Sequence, residues 1–394
     1  MKIIKSKILQ GDKIIWSVYI LFIFISIVEV FSSMSKMVID TSDGSYMPML
    51  VKHCMLLLTG FICCFVVHKT DYTKLSRYMN ILLVFSVGLL FATLISAKIS
   101  GNTSAARWIS IPYVGQFQPS EIAKYVIIFY LSSLMASHQQ DIDSKEVYWR
   151  MMIPLGIVCL LIFFENFSTA VLIFVTCFVL MFIGGVNRKL WLYTLLVLVG
   201  VILLAVLTAR TAPQVLSMLP RGDTWVARLQ NFGDDDYTQI TQRNLALMAV
   251  STGGLTGRGI GNTIQARFLD EGHNDFIFSI ILEEGGIWFG TFIVLLYIIL
   301  LYRMLKTARN ASGYFGSLAC IGMGLVITLQ AFINMAVAVG MAPVTGQTLP
   351  FISYGGTSFV FASIFLGVII NISKKSGQDN REEEVKTEEE ILQN

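Results

Sequence analysis

The chain has 394 residues, 55% of them hydrophobic and 14% charged, with a net charge of +3 and a mean hydropathy of +0.67. A water-soluble domain carries about 25% charged residues, so this composition excludes an ordinary soluble enzyme and gives no reason to expect nucleic acid as a partner. Repeated apolar runs near the roughly 20 residues needed to cross a bilayer indicate an all-α polytopic membrane protein.

Taken in order, the apolar runs predict spans at roughly residues 14–34, 49–67, 79–97, 119–137, 151–165, 168–186, 190–208, 275–302, 314–338 and 352–372. That makes ten helices, or nine if the short fifth span runs on through the soft break at Asn166–Ser168. The first run is flanked by lysines and followed by no small-residue cleavage site, which reads as an anchor and not a removed signal. Cys54, Cys63, Cys64, Cys159, Cys177 and Cys320 all lie inside apolar runs, without metal spacing, and read as small core residues.

Lysine and arginine concentrate at the termini and in the loops after spans two, four, six and eight, as at Lys69, Lys145, Arg188 and Arg303. The opposite short loops hold only Lys36, Lys98 and Arg107, with Lys52 at a helix edge. The positive-inside rule puts both termini in the cytoplasm and the insert at about residues 209–274 outside; an insert of that length does not vote by its charge. Residues 1–372 form one membrane domain, and the glutamate-rich segment 373–394 is expected to be a disordered cytoplasmic tail.

Polar residues gather on the outer side. Before span four, Arg107-Trp108 suits an interfacial anchor, and Pro119 is placed as a first-turn proline with Ser120 and Glu121 behind it. Glu121 and Lys124 are three apart, on one helix face, and can pair as structural glue or as part of a site. The insert carries Arg210, Arg221, Arg228, Arg243, Arg258 and Arg267 and a glycine cluster from Gly253 to Gly261. That cluster is neither a phosphate loop nor a dinucleotide fingerprint. It either lets backbone approach backbone or exposes amides to an anion, and the arginines suit a diphosphate or lipid head groups.

The insert closes on Glu271-Gly-His273-Asn274-Asp275, which opens span eight. Asp275 sits where water meets hydrocarbon, a depth at which an ionisable side chain is capped, paired or used. On position alone, Asp275 or Asn274 could simply cap the helix. Glu283 would lie about 80° round the helix from Asp275 and roughly 12 Å further in, with Glu284 on the opposite face. A glycosidase-like carboxylate pair with Asp275 is therefore not expected, and a structural or gating role is. After span nine, Pro343 to Ser358, with Ser353 inside it, holds two prolines and three glycines. Irregular backbone at that depth marks a cavity.

Four blocks carry a resemblance: Arg107-Trp108; Gln118-Pro-Ser-Glu-x-x-Lys124; His273-x-Asp-Phe-Ile-Phe278; and Pro343-Val-Thr-Gly346 with Leu349-Pro-Phe-Ile-Ser-Tyr-Gly-Gly-x-Ser358. In this order the chain resembles the shape, elongation, division and sporulation (SEDS) proteins over nearly its whole length, and Gly346-Gln-Thr-Leu-Pro-Phe-Ile-Ser is most similar to their FtsW branch. The chain departs from the family at Glu165-Asn166-Phe-Ser168-Thr-Ala170 and at Asp270 and Asn274, where other residues are usual.

The resemblance implies a ten-helix peptidoglycan glycosyltransferase that polymerises lipid II at the outer face of the cytoplasmic membrane, with Asp275 essential. Glu121 and Lys124 would belong to the same cavity. Lipid II carries its sugar on a diphosphate, already a good leaving group, so one carboxylate acting as general base on the acceptor hydroxyl suffices, and inversion gives a β-1,4 link. On this expectation Ser120, His273 and Ser353 line the substrate cavity. Arg107, Arg221 and Arg243, or a divalent cation, hold the diphosphate. A class B penicillin-binding transpeptidase of the FtsI type and other divisome membrane proteins are the implied partners. The rival readings are a lipid II flippase or transporter, an elongation (RodA-type) polymerase, and a scaffold that only recruits its partner.

Overall fold

The computed structural model describes the chain apart from residues 1–8, 34–46, 101–108, 112–114, 212–236, 270–271, 273 and 394. Every expected span corresponds to a helix. In chain order they are α1 (Lys13–Ser33), α2 (Met47–Val67), α3 (Tyr72–Ser100), α4 (Pro119–Ser137), α5 (Lys145–Glu165), α6 (Phe167–Ile183) and α7 (Arg188–Thr211). An additional helix, α8 (Tyr237–Gly253), lies in the insert, followed by α9 (Ile277–Arg309), α10 (Tyr314–Ala338) and α11 (Gly356–Gln393). Before α4, β1 (Ile109–Ile111) and β2 (Gly115–Phe117) pair as a short antiparallel ribbon.

Among the described residues, seven helices are long and apolar enough to cross a membrane, and α6 is an apolar helix of 17 residues. α5 and α6 are separate: Asn166 between them is extended, and its side chain accepts from the Thr169 amide at 3.3 Å. That N-cap ends the ambiguity over nine helices or ten. Large apolar side chains remain exposed on outward faces, Val84 at 73%, Trp288 at 70% and Ile81 at 66%. Such a surface is untenable in water and is what lipid requires. α10 is the most enclosed candidate span, with 67% of its apolar window buried, so the other helices use it as a common wall.

Polar ties fix the bundle at one end. Asp12 accepts from the Ile14 amide at 2.8 Å, capping α1, and its other oxygen takes two donors from Arg303 near the end of α9, Nε at 2.9 Å and Nη2. Asn371 of α11 donates to the His68 carbonyl at 2.6 Å and accepts from the Tyr72 amide at 3.2 Å, holding the α2–α3 turn. The backbone of α11 stays helical to Gln393, through the acidic segment that composition marks for disorder.

The insert is locked onto α9 by backbone. α9 is broken at Gly286 (φ 67°, ψ −170°), which strands amides and carbonyls on both sides of the kink. The carbonyls of Glu283 and Glu284 accept from the amides of Arg258 and Gly259, at 3.0 and 2.8 Å. In return, the amides of Ile287 and Trp288 donate to the carbonyls of Gly254 and Leu255, at 3.0 and 3.4 Å. A Cβ on Gly253 would overlap the Leu282 carbonyl, and one on Gly257 the Glu284 carbonyl. The glycine cluster therefore serves close backbone approach, and the Arg258 and Gly259 amides are taken by protein.

Glu283 completes the lock: it accepts from Thr263 Oγ1 at 2.5 Å and from the amides of Ile264 and Gln265 at 3.0 and 3.2 Å. Its role is to hold the insert. A small separate core of Ala246, Ala266, Leu269, Phe276, Ile280 and Val337 packs beneath, joining α8 and the 3-10 turn Gln265–Arg267 to α9 and α10.

Candidate active site

The N-termini of α4, α9 and α11 and the C-terminus of α10 meet at one end of the bundle, opposite Asp12 and Arg303. α4 starts at Pro119, whose missing amide costs nothing in a first turn, and carries Glu121 there. Lys124, one turn on, is fully buried, with Nζ 2.9 Å from Glu121 Oε2 and 2.7 Å from Gln330 Oε1. Ser358 of α11 donates to the same Glu121 oxygen at 2.6 Å, and Gln330 Nε2 donates to the Thr348 carbonyl at 2.9 Å. A buried charge pair survives only when its remaining donors and acceptors are met. Here α10, α11 and the 339–355 segment meet them.

Gln330 and Asn334 are four apart, on one face of α10. Asn334 Nδ2 donates to the Asp275 carbonyl at 2.9 Å and to the Gln347 carbonyl at 2.7 Å. Gln347 in turn donates to Thr169 Oγ1 at 2.7 Å. Ser353 Oγ accepts from the Leu349 amide at 2.7 Å and donates to the Asn274 carbonyl at 2.8 Å. The Asn274–Asp275 backbone is thus pinned from two sides. Gly346 has φ +68°, and a Cβ there would lie 3.7 Å from Asp275 Oδ2, so the half-buried Asp275 carboxyl faces the 339–355 segment across a bare glycine.

That segment is itself tightly built. Phe351 takes a left-handed φ of 67°, unusual for a bulky residue. It is clamped between Tyr19 and Phe22 of α1, at ring distances of 5.6 and 6.0 Å, and Tyr297 donates to the neighbouring Pro350 carbonyl. Ser26 donates to the Ile352 carbonyl at 2.8 Å and lies 2.9 Å from His53 Nε2. A small cavity opens between this segment, α4, α10 and α11, lined by Tyr125, Gln330, Thr348, Ser353 and Ser358.

Of the residues expected from sequence, Asp275, Glu121, Lys124 and Ser353 come together at this end. Ser120 is fully buried beside Glu121, and its hydroxyl has no hydrogen-bond partner among the described residues. Arg243 on α8 donates to the Gly340 carbonyl at 3.0 Å, beyond the end of α10. Arg107, Arg221 and His273 lie outside the described residues. The helix-wheel relation of Asp275 to Glu283 does not apply, because Asp275 precedes α9 in a turn. The N-cap position is Phe276, which makes no side-chain cap, so the capping position falls one residue past Asp275 and two past Asn274.

Gln330, Gln347 and Thr169 were not singled out from sequence. Gln330 and Asn334 carry a usable signal, two amides four apart in an otherwise apolar span. Gln347 and Thr169 meet only through tertiary contact.

The FtsW/RodA/SpoVE family model, described as "Cell cycle protein", matches residues 12–378. The chain is similar to the "Probable peptidoglycan glycosyltransferase FtsW" of Coxiella burnetii, 33% identical over 353 residues, covering 87% of this chain and 91% of that one. It is 32% identical over 326 residues to the stage V sporulation protein E of Bacillus subtilis, covering 80% and 84%. Its fold matches a chain from the solved structure titled "Structural coordination of polymerization and crosslinking by a peptidoglycan synthase complex", with a TM-score of 0.72 at 21% identity, covering 93% and 98%. It also matches the rod shape determining protein RodA of Thermus thermophilus, with a TM-score of 0.65 at 20% identity, covering 93% and 97%.

Proposed function

The chain belongs to the FtsW/RodA/SpoVE family of cell cycle proteins, and from that premise we propose that it is a peptidoglycan glycosyltransferase that polymerises lipid II. The observation that carries the reading is the setting of Asp275: a half-buried carboxyl beside Gly346 on a backbone held by Asn334 and by Ser353, which itself lines the cavity. Pinning the backbone and leaving the carboxyl beside Gly346 gives a group whose position is fixed before substrate arrives.

In this proposal Asp275 takes the proton from the acceptor hydroxyl as that oxygen attacks the donor anomeric carbon. The diphosphate leaves with the bonding electrons, and the anomeric centre inverts to a β-1,4 link. Lys124 supplies positive potential behind Gln330 of the cavity wall, and Glu121 holds it in place. Arg243 stands on the insert beside this end and, with Arg107 and Arg221, would meet the diphosphate. Among the described residues no three histidine, cysteine or acidic side chains group as a metal site. A divalent cation, if one is used, would be held by Asp275 and would neutralise the leaving diphosphate; every step above uses the chain's own residues.

The charge asymmetry of the loops supports cytoplasmic termini and an outward-facing site in the cytoplasmic membrane. The FtsW relatives favour division over elongation as the process served. A transpeptidase of the penicillin-binding class, with other divisome proteins, is the proposed partner; the match to a chain from a peptidoglycan synthase complex supports it.

The test is polymerisation of labelled lipid II by purified protein with its cognate transpeptidase, wild type against Asp275→Asn. Glycan from the wild type and a loss of about 10²-fold or more in the folded variant, at least the size of a general-base contribution, is the expected result. Equal polymer from both would remove Asp275 from the chemistry. No polymer from either, with lipid II crossing proteoliposome membranes, would favour a transporter.

A further inference from the structure

The 350–354 segment, which ties down the Asp275 turn through Ser353, is itself supported from α1 and α2. Phe351 holds a left-handed φ of 67°, unfavourable for a bulky side chain, and such backbone persists only where its surroundings fix it. The carbonyls on either side of Phe351 are both held. Tyr297 donates to that of Pro350, and Ser26 of α1 donates to that of Ile352 at 2.8 Å.

Ser26 behaves unlike other serines of the bundle. A serine inside a helix readily turns its hydroxyl back to the carbonyl four residues earlier, and Ser17, Ser132 and Ser363 do so at 2.9, 2.8 and 2.7 Å. Ser26 donates outside its own helix, and His53 Nε2 of α2 lies 2.9 Å from the same oxygen. A hydroxyl has one proton to give. Here it goes to the Ile352 carbonyl, which can only accept, so the proton between His53 and Ser26 comes from Nε2. His53 thereby occupies a lone pair of Ser26 and directs the hydroxyl toward Ile352. Both side chains are buried, His53 at 2% exposure and Ser26 at none, and an unmade bond at such a site is costly. The His53 ring also lies 5.3 Å from that of Tyr354, on the other side of Ser353.

We infer that His53 is a positioning residue for the Asp275 turn, acting through Ser26; the inference rests on the glycosyltransferase reading above. The series of contacts is short. His53 donates to Ser26, Ser26 donates to the Ile352 carbonyl, and the next residue, Ser353, donates to the Asn274 carbonyl at 2.8 Å. Losing the His53 donor frees Ser26 to turn back onto α1, releases the Ile352 carbonyl and lets Phe351 relax from its left-handed φ. Ser353 shifts with its neighbours and takes the Asn274–Asp275 backbone along. α1 and α2 thus help to set where the base stands, although neither carries it.

The experiment measures lipid II polymerisation by the purified full chain in lipid nanodiscs with its cognate transpeptidase. Wild type is compared with Ser26→Ala, His53→Phe, His53→Gln and the double variant Ser26→Ala with His53→Phe. Phenylalanine keeps a ring and loses the donor; the glutamine amide places an N–H as many bonds from Cβ as Nε2 is. His53→Phe and Ser26→Ala should each lower kcat about tenfold, part of the roughly 10²-fold that a misplacement of about 1 Å can cost, with KM within about threefold. His53→Gln should recover most of the loss. The double variant should be no slower than Ser26→Ala alone, because the two side chains act in series. A purely structural role would lower Tm without this split or this rescue. The contact is also read without turnover, by 15N NMR of the four histidines: the signal missing from the His53 variants should shift in Ser26→Ala. Unchanged kcat in His53→Phe, no rescue by glutamine, additive losses, or a His53 signal indifferent to Ser26→Ala would overturn the inference. Asp275→Asn run alongside keeps the two readings apart. Full polymer from it defeats the base itself, whereas an inactive Asp275→Asn beside a fully active His53→Phe defeats only the role of His53. If His53→Phe does not fold, the Ser26→Ala kinetics and the 15N signal still decide.

Discussion

Lys124 is the residue on which the polar interior turns. With no exposed surface, it reaches Glu121 and Gln330 at once, and a buried pair loses far more when halved than when removed whole. Lys124→Met alone should therefore cost about 3–5 kcal/mol by leaving Glu121 buried and uncompensated. Lys124→Met combined with Glu121→Gln should recover much of that, as measured by denaturation in detergent. Polymerisation should stay low in both, because the cation is gone either way. If the double variant is no more stable than the single one, Ser358 alone compensates Glu121. Ser353 invites a parallel test. Its hydroxyl is fully used between the Leu349 amide and the Asn274 carbonyl. Ser353→Ala should thus lower kcat by displacing Asp275 while leaving the apparent lipid II affinity within about threefold, a kinetic signature of lost positioning.

Among the elements, the helices were legible and their polar contacts only partly so. A run of about 20 apolar residues announces a span by length alone, and all ten appear. α8 escaped notice because it carries no comparable run: Tyr237–Gly253 reads as a mixed segment, and its partner is the surface of α9. The Glu121–Lys124 pair could be read from spacing because its members are three apart. Gln347 and Thr169 could not, since 178 positions separate them. The glycine cluster left two readings open, and only the kink at Gly286 decides between them, by presenting carbonyls for Arg258 and Gly259. Gly257→Ala should accordingly drive the insert off α9 and lower Tm sharply, since the added carbon meets backbone that cannot yield. Gly254→Ala meets nothing within 4 Å and should cost only the about 1–2 kcal/mol of a left-handed alanine. Equal losses at the two positions would argue against the interlock.

On the scale of the whole molecule, Asp12 with Arg303 closes one end of the bundle, and the cavity lined by Ser353 and Ser358 opens at the other, beside the turn bearing Asp275. Sidedness is testable there. Met341 is 84% exposed at the cavity end, and Asn310 follows α9 at the opposite one. In a background freed of native cysteines, Met341→Cys should react with an impermeant maleimide on intact cells, and Asn310→Cys only after permeabilisation. The reverse pattern would invert the proposed topology. The outward girdle of Val84, Ile81 and Trp288 makes lipid the solvent for the outward faces of the bundle.

The two-way exchange of hydrogen bonds across Gly286 joins the insert to the first turns of α9 as one mechanical piece. Phe276, in the small core shared with α8, extends that piece to the turn bearing Asp275. A hinged flap would swing without disturbing what lies beneath it. This insert is a handle: whatever takes hold of α8 from outside the membrane takes hold of Asp275 as well.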